Sequence, residues 1–299
     1  MSSLEPWALA LVIIAGVVAF ILLLVILMAL WAQKAYEAIK SSPPTACDID
    51  AFVGPDNPVK YTKVVLAHKL RLGNREASLV PIPLECFDSP HVPGLKVSRK
   101  SGTPPKATDK NVVPLEQILS ESVEKPIIIA TIRMGFGHHR LAYSAASYAL
   151  QTGRVTIFHD LLNIASEESN LIKSTDELYS KFSRMASEMG GPMERLWGSM
   201  MLSGDADALR IASLTAAHLQ PLLLAYPKDT PMITTHQLVA LMAAAIGFTN
   251  VVNLVVDNHP QWFLTVPKTL NLVQGPVNYQ SFLLMGVRAE ELNWAGQYV

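Results

Sequence analysis

The densest group of chemically active residue types in this chain directly follows a short apolar run at residues 127–132. Gly135 and Gly137 come first, and two adjacent histidines, His138 and His139, come next. Glycine lets backbone N–H groups approach a ligand closely, and the start of a following helix favours negative charge. Histidine adds a side chain that titrates near neutral pH. The stretch therefore predicts a backbone cradle for a ligand beside an acid/base group.

Histidine or aspartate also follows three further strand-like runs. The second run is followed by His159 and Asp160, the third by His236, and the fourth by Asp257 and His259. The carboxyl ends of parallel strands lie at one edge of a sheet, where ligands of α/β proteins bind. We therefore expect these side chains to converge on one cleft, and their recurrence favours a functional site over a structural coincidence.

The roles of the paired histidines have two interpretations. If a helix starts at this pair, one of His138 and His139 faces the cleft while the other packs or caps. In the alternative, neither of them acts chemically. A neutral imidazole in the cleft suits a general base that accepts the proton of a sugar or glycerol hydroxyl. Asp257 then either orients that base, acts itself, or only caps a helix.

A dinucleotide site is the rival interpretation of the glycine-rich turn. The sequence GFGHHR contains the first two glycines of the G-x-G-x-x-G pattern, but Arg140 occupies the third position. A side chain there obstructs the close packing of helix on strand. Asp160 lies where a ribose-binding acid is expected. The match is partial, so nicotinamide or flavin binding is the weaker hypothesis.

The elements that position these residues follow from the alternation of apolar patterns after residue 125. Helix-like segments separate most of the strand-like runs, and this predicts a parallel α/β sheet over residues 125–299. The predicted strands are residues 127–132, 155–158, 232–235, 251–256 and 270–273. Residues 32–124 are expected to form a separate juxtamembrane region, with strands at 61–72 and 77–84 and a flexible Pro-rich linker at 101–110.

The N-terminal part of the chain predicts one transmembrane helix. Residues 7–31 carry no charge, and this segment is long enough to cross a bilayer core. Residues 1–6 form a short tail without Lys or Arg. Trp262, in the segment DNHPQWF, either packs under the sheet edge or contacts an acyl chain or the membrane surface. Lys34 and Lys40 follow the span, so the positive-inside rule places the C-terminal domain in the cytoplasm.

Composition excludes some functions. The 299 residues have a formal net charge of −1 and no basic block, which argues against nucleic acid binding. The two cysteines, Cys47 and Cys86, have neither the number for a disulfide framework nor the spacing of metal ligands.

Together, these motifs resemble the acceptor-binding half of GT-B glycosyltransferases. The greatest similarity is to monogalactosyldiacylglycerol synthases and to the transferase that glycosylates a lipid-linked peptidoglycan precursor. GFGH at 135–138 is similar to their glycine-rich turn with histidine, and ITTHQL at 233–238 is similar to their Thr/Val-His element. DNHPQWF at 257–263 is similar to their Asp-to-Trp-Phe segment. The resemblance covers about residues 125–299, and Phe136 departs from it by replacing the usual middle glycine.

The resemblance implies a Rossmann-like sheet and transfer of a hexose from a nucleotide sugar, as co-substrate, to a diacylglycerol-like or isoprenoid membrane lipid. It makes His138 the catalytic base, supported by Asp257. The residues expected to bind the acceptor are Gly135, Gly137, His139, His236, His259 and Trp262. No tightly bound cofactor and no metal are expected, because backbone groups and helix dipoles meet phosphate charge in such enzymes.

Donor binding is the part of this resemblance that residues 125–299 do not supply. GT-B enzymes bind the nucleotide sugar mainly in a second Rossmann-like domain. Three explanations stay open: the chain is part of a longer protein, it works with a separate donor-domain subunit, or it is a non-catalytic membrane-anchored lipid-binding or scaffold subunit.

Overall fold

The chain is described by a computed structural model. The described residues are 6–40, 49, 52, 58–73, 75–134, 136–192, 194–195, 206–257, 260–261 and 264–296. Helices and strands are numbered below along the chain.

The described residues of the first half of the chain form four helices and five strands. These elements are α1 (Pro6–Lys40), α2 (Pro58–Leu72), β1 (Leu84–Asp88), β2 (Leu95–Lys100), β3 (Lys110–Pro114), α3 (Leu115–Glu121), β4 (Ile127–Thr131), α4 (Phe136–Gln151) and β5 (Thr156–Asp160). The second half continues the alternation of helix and strand. Its elements are α5 (Glu167–Met189), α6 (Ala206–His218), β6 (Met232–Thr234), α7 (Gln237–Ile246), β7 (Val251–Leu254), β8 (Leu270–Val273), α8 (Pro276–Leu284) and β9 (Leu292–Trp294).

The described strands form one nine-stranded sheet in the order β3-β1-β2-β5-β4-β6-β7-β8-β9. The pairs from β2 to β9 are all parallel, and only β1 pairs antiparallel with its neighbours β2 and β3. A mixed α/β fold with a parallel-rich sheet is therefore confirmed. From β4 the chain moves to β5 on one side, and it later returns to β6 on the other side of β4.

Both faces of β4 are buried, which explains why its sequence is a continuous apolar run. Ile127 and Ile129 pack with α4 on one face of the sheet. Ile128 and Ala130 pack with α7 on the other face. The helices that follow β4 and β6 therefore cover opposite faces, and the carboxyl ends of these two strands border the crevice where strand order reverses.

Two strand predictions for residues 32–124 are wrong. Residues 61–72 form helix α2, because their buried positions recur every three or four residues, at Tyr61, Val64, Val65, His68 and Leu72. Residues 77–83 form no strand, since two prolines interrupt the segment and cannot donate to a ladder; β1 begins only at Leu84. Residues 101–109 connect β2 to β3, and Arg99 bonds to Asp109 across this connection.

The sheet also crosses the domain boundary expected at residue 125. Strands β1, β2 and β3 precede that residue. Strand β2 pairs with β5, and β1 lies between β2 and β3, so all three belong to the same sheet. These strands have polar or charged residues among their apolar ones, and β3 is largely exposed, so they lack the continuous apolar run that marks β4.

Helix α1 is long and apolar enough to cross a membrane. Its 35 residues continue past the apolar segment, and its C-terminal end packs against α2 and α6. The ring of Tyr36 stacks on Tyr61, with centroids 4.4 Å apart. The apolar segment of α1 therefore joins the rest of the chain through a packed helix end.

Two buried asparagines connect the second half of the sheet. Asn253 on β7 lies opposite Asn271 on β8, and its Nδ2 donates to the Asn271 Oδ1 at 2.9 Å. The Asn271 side chain also accepts from the Val266 N–H and donates to the Val266 carbonyl, both at 2.9 Å. The Thr234 hydroxyl donates to the Asn253 Oδ1 at 3.2 Å. This network joins β6, β7 and β8 and fixes the turn before β8.

We expect Asn271→Ala to lower the free energy of unfolding by about 1–3 kcal/mol, because it leaves the buried N–H of Val266 without its acceptor, while the Val266 carbonyl keeps the Thr269 hydroxyl as a donor. Thermal unfolding of the detergent-solubilised chain, followed by circular dichroism, measures the change. Asn293→Ala on the exposed part of β9 is the matched control and should have little effect. Equal melting temperatures for the two variants would contradict a stabilising role for the network.

Candidate functional site at the ends of β4 and β6

Thr235 holds the carboxyl ends of β4 and β6 together. Its N–H donates to the carbonyl of Ala130 at 3.2 Å. Its hydroxyl lies 2.8 Å from the hydroxyl of Thr131 and donates to the carbonyl of His138 at 3.0 Å. Thr131 and Thr235 are both fully buried. These bonds position the first turn of α4 against the loop that follows β6.

His138 is oriented by the same residue. Its Nδ1 is hydrogen-bonded to the carbonyl oxygen of Thr235, and a carbonyl only accepts, so Nδ1 carries the proton. In the neutral ring, Nε2 then has the free lone pair. The side chain is only partly buried. His138 is therefore a fixed imidazole whose basic nitrogen is the one not used for orientation.

His236 lies next to His138 and has the opposite tautomer. The two ring centroids are 4.7 Å apart. The Nδ1 of His236 accepts from the N–H of Leu238 at 3.2 Å, which caps the start of α7 and leaves the ring proton on Nε2. Burial, with a smaller contribution from His138, lowers the pKa of His236 from 6.5 to about 3. This histidine is neutral near pH 7, and its observed contact is that of a helix cap.

His139 points to a different environment. Its ring makes edge contacts with Tyr143 and Phe158, at centroid distances of 5.0 and 5.7 Å. One histidine of the pair thus lies beside the ends of β4 and β6, and the other packs on aromatic rings.

Asp160 is fully buried at the end of β5. Its Oδ1 accepts from the N–H of Leu162 at 3.0 Å. Its Oδ2 lies 3.8 Å from the Nε of Arg133, whose side chain is 56% exposed. Burial raises the pKa of Asp160, although Arg133 and the capping N–H oppose the change. A protonatable carboxyl and an exposed guanidinium therefore lie beside the glycine-rich turn.

The remaining predicted site residues are not joined to this cluster. Asp257 is exposed at the end of β7, and its carbonyl accepts from Asn278 Nδ2 at 3.3 Å. Within the described ranges, no hydrogen bond or ion pair reaches the Asp257 carboxylate. Gly135, His259 and Trp262 lie outside the described residues. The described site is therefore centred on β4, β5 and β6.

Gly137 is the described glycine of the turn. It is the second residue of α4, and a Cβ added to it would meet no heavy atom within 4 Å. The space beside its Cα is therefore open, which leaves room for a ligand near the first N–H groups of the helix.

The functional candidates that sequence reasoning missed are Thr131, Thr235 and Arg133. Both threonines were inside strand-like runs, where threonine is expected for its β propensity. The repeated threonine of ITTHQL was the available signal. Arg133 directly follows the β4 run and was hidden by the stronger glycine and histidine pattern.

His159 belongs to the core rather than to this site. It is fully buried, and its Nδ1 lies 2.7 Å from the Ser98 hydroxyl and 3.1 Å from the Tyr226 hydroxyl. Burial lowers the pKa of His159 from 6.5 to about 4. In the described part of the chain, no three His, Cys, Asp or Glu side chains form a group that could hold a metal ion.

The fold and this cluster define a mixed α/β protein in which His138 and His236 lie together at the point where strand order reverses. The chain belongs to the DUF6937 family, a domain of unknown function, whose model matches residues 92–284. Comparisons with curated proteins and with solved structures find no match. The matched range contains His138 and His236 and ends with α8, while α1 and α2 precede it.

We expect His236→Asn to reduce the loss of stability at acidic pH. The folded pKa of His236 lies below its unfolded value, so the unfolded chain binds more protons between pH 6.5 and about 3. Stability therefore falls as pH decreases through this window, by up to about 1.4 kcal/mol per pH unit for one such group. Asparagine keeps a capping acceptor for the Leu238 N–H without titrating.

Melting temperatures across this pH window measure the effect. His91→Asn, at an exposed histidine, is the matched control. If the His236→Asn curve runs parallel to the unsubstituted curve throughout the acidic limb, then burial of a neutral His236 is not part of the acid response.

Proposed function

We propose that this chain is the membrane-anchored acceptor-binding part of a GT-B-type glycosyltransferase, built on a Rossmann-like sheet. The proposed reaction transfers a hexose from a nucleotide sugar to the hydroxyl of a diacylglycerol-like lipid. The support is the parallel sheet, the histidine beside its switch point, and an apolar helix long enough to bring the domain to a lipid substrate.

The orientation of His138 is the observation that carries this proposal. Its Nδ1–H is committed to the Thr235 carbonyl, so Nε2 is available to accept a proton. In the proposed step, Nε2 takes the proton of the lipid hydroxyl as its oxygen bonds to the anomeric carbon. The bond from that carbon to phosphate breaks, and the nucleoside diphosphate leaves with the electron pair. The Thr235 carbonyl stabilises the imidazolium that forms.

The neighbouring groups suit the charge of this reaction. The first turn of α4 presents N–H groups beside the open space at Gly137. The Arg133 side chain is exposed just after β4 and lies 3.8 Å from the buried carboxyl of Asp160. Both features favour a phosphate-bearing leaving group at this edge of the sheet. Donor binding is assigned to a second domain, in the same protein or in a separate subunit.

The acceptor is assigned to the side of the cleft toward β7. Asp257 follows that strand and is exposed, and its proposed role is to bind an acceptor hydroxyl rather than to orient His138. His139, His236, Gly135, His259 and Trp262 complete the proposed acceptor-binding set. The domain is proposed to face the cytoplasm, because Lys34 and Lys40 follow the apolar segment and the positive-inside rule favours that side.

A non-catalytic lipid-binding or scaffold subunit is the second candidate. It is favoured by the structural contacts of two proposed site residues, since His236 caps α7 and His139 packs on aromatic rings. A scaffold with this surface would bind lipid and would not need the basic nitrogen of His138.

Membranes from cells that express the full chain allow a direct test, because they supply any separate donor subunit. We expect chain-dependent incorporation of radiolabelled hexose from UDP-hexose into diacylglycerol lipid. His138→Ala should lower the rate by at least about 10²-fold, since it removes the proposed base.

His91→Ala is the matched control and should keep the rate of the unsubstituted chain. Loss of transfer with retained binding of diacylglycerol vesicles by His138→Ala would separate catalysis from acceptor binding. Absence of chain-dependent transfer to both diacylglycerol and isoprenoid lipid, or full activity of His138→Ala, would overturn the enzymatic proposal in favour of the scaffold.

A further inference from the structure

Helix α2 has an exposed surface that the proposed transfer does not use. One side of α2 packs on the end of α1 and on α6 through a cluster that includes Tyr36, Tyr61 and Ile211. On its other side, two leucines face outward: Leu66 is 50% exposed and Leu70 is 87% exposed. The two leucines are four residues apart and therefore lie on the same face of the helix.

Two contacts fix the direction of α2 relative to the transmembrane helix. Tyr61, near the start of α2, stacks on Tyr36. Lys69, near its end, places its Nζ 5.3 Å from the ring centroid of Trp31. The two helices therefore run antiparallel, and the last turn of α2 returns toward the apolar segment of α1.

The depth of that last turn follows from Trp31. This tryptophan ends the uncharged run of α1, and the first charged residue after it is Lys34. A tryptophan at the end of a span lies at the membrane–water interface. Because Lys69 contacts Trp31, the adjacent Leu70 lies at the same depth. Leu66 lies one turn, or about 5 Å, farther from the bilayer.

The charge of α2 matches a lipid surface. The last turn of the helix carries Lys69 and Arg71, and the helix has no acidic residue. Lys63, toward its other end, pairs with Asp207 at 3.7 Å. Exposed leucine among basic residues is the composition of helices that lie in the headgroup region of anionic membranes. The charge and the position relative to α1 point to the same partner.

We propose that the C-terminal turn of α2 inserts Leu70 into the headgroup region of the bilayer crossed by α1, with Lys69 and Arg71 facing anionic lipid headgroups. This inference rests on the membrane anchorage in the proposed function and is independent of the transfer reaction. It gives the chain a second membrane contact, made by an element that precedes the DUF6937 match.

Site-specific fluorescence in the full-length chain tests the insertion. An environment-sensitive NBD label is attached at Leu70→Cys, in a chain in which Cys47→Ser leaves only the buried Cys86. Leu284→Cys is the matched control, because this leucine is 88% exposed and lies on α8, within the sheet domain. Both proteins are reconstituted into vesicles of phosphatidylcholine with phosphatidylglycerol.

We expect the label at position 70 to emit at shorter wavelength, to resist quenching by aqueous iodide, and to be quenched by headgroup-linked nitroxide lipid. The label at position 284 should show the reverse pattern. Omitting phosphatidylglycerol should weaken the protection at position 70, as expected for charge-assisted insertion.

Equal iodide quenching at the two positions, in protein that resists extraction by alkaline carbonate, would overturn the insertion of α2 while leaving the anchor intact. Release of the protein by carbonate would overturn both the anchor and this proposal. Neither readout depends on hexose transfer, so failure of the enzymatic proposal is recognised separately.

Discussion

The hydrogen bonds of Thr235 join the ends of two strands that are distant in sequence. These bonds connect the first turn of α4, which follows β4, to the loop that follows β6. With them, His138 receives an orienting carbonyl and the cap of α7 lies against its ring. This arrangement depends on strand order. Strands β4 and β6 are neighbours because β5 pairs on one side of β4 and the chain then returns to place β6 on the other side.

The sheet that supports this junction is held by different means on its two sides. Around β4 and β5, apolar side chains bury both faces. Toward β8, paired asparagines satisfy one another and the adjacent turn. Buried polar networks of this kind are stabilising only when every group is satisfied, and they specify one register of the strands. Strand register in turn sets which residues reach the carboxyl edge.

The sequence predicted the parts of the structure that have local signals. The central strands were predicted because β-branched residues buried on both faces form continuous runs, as at Ile127–Thr131. Helix α2 was mistaken for a strand because its Val and Leu content was counted without its spacing. The roles of Thr235 and His138 were not predictable in detail, because each side chain bonds to the backbone carbonyl of the other residue, 97 residues away along the chain. Such a contact leaves no pattern in the sequence.

Helix α1 continues without a break from its apolar segment into the end that packs on α2, and this continuity has a mechanical consequence. A span joined by a flexible tether changes its tilt without moving the attached domain. Here the tilt of α1 is transmitted through the Tyr36–Tyr61 stack to α2 and onward to α6. Because spans adjust their tilt to bilayer thickness, the proposed membrane anchorage makes the orientation of α2 and α6 relative to the bilayer depend on the thickness of the membrane.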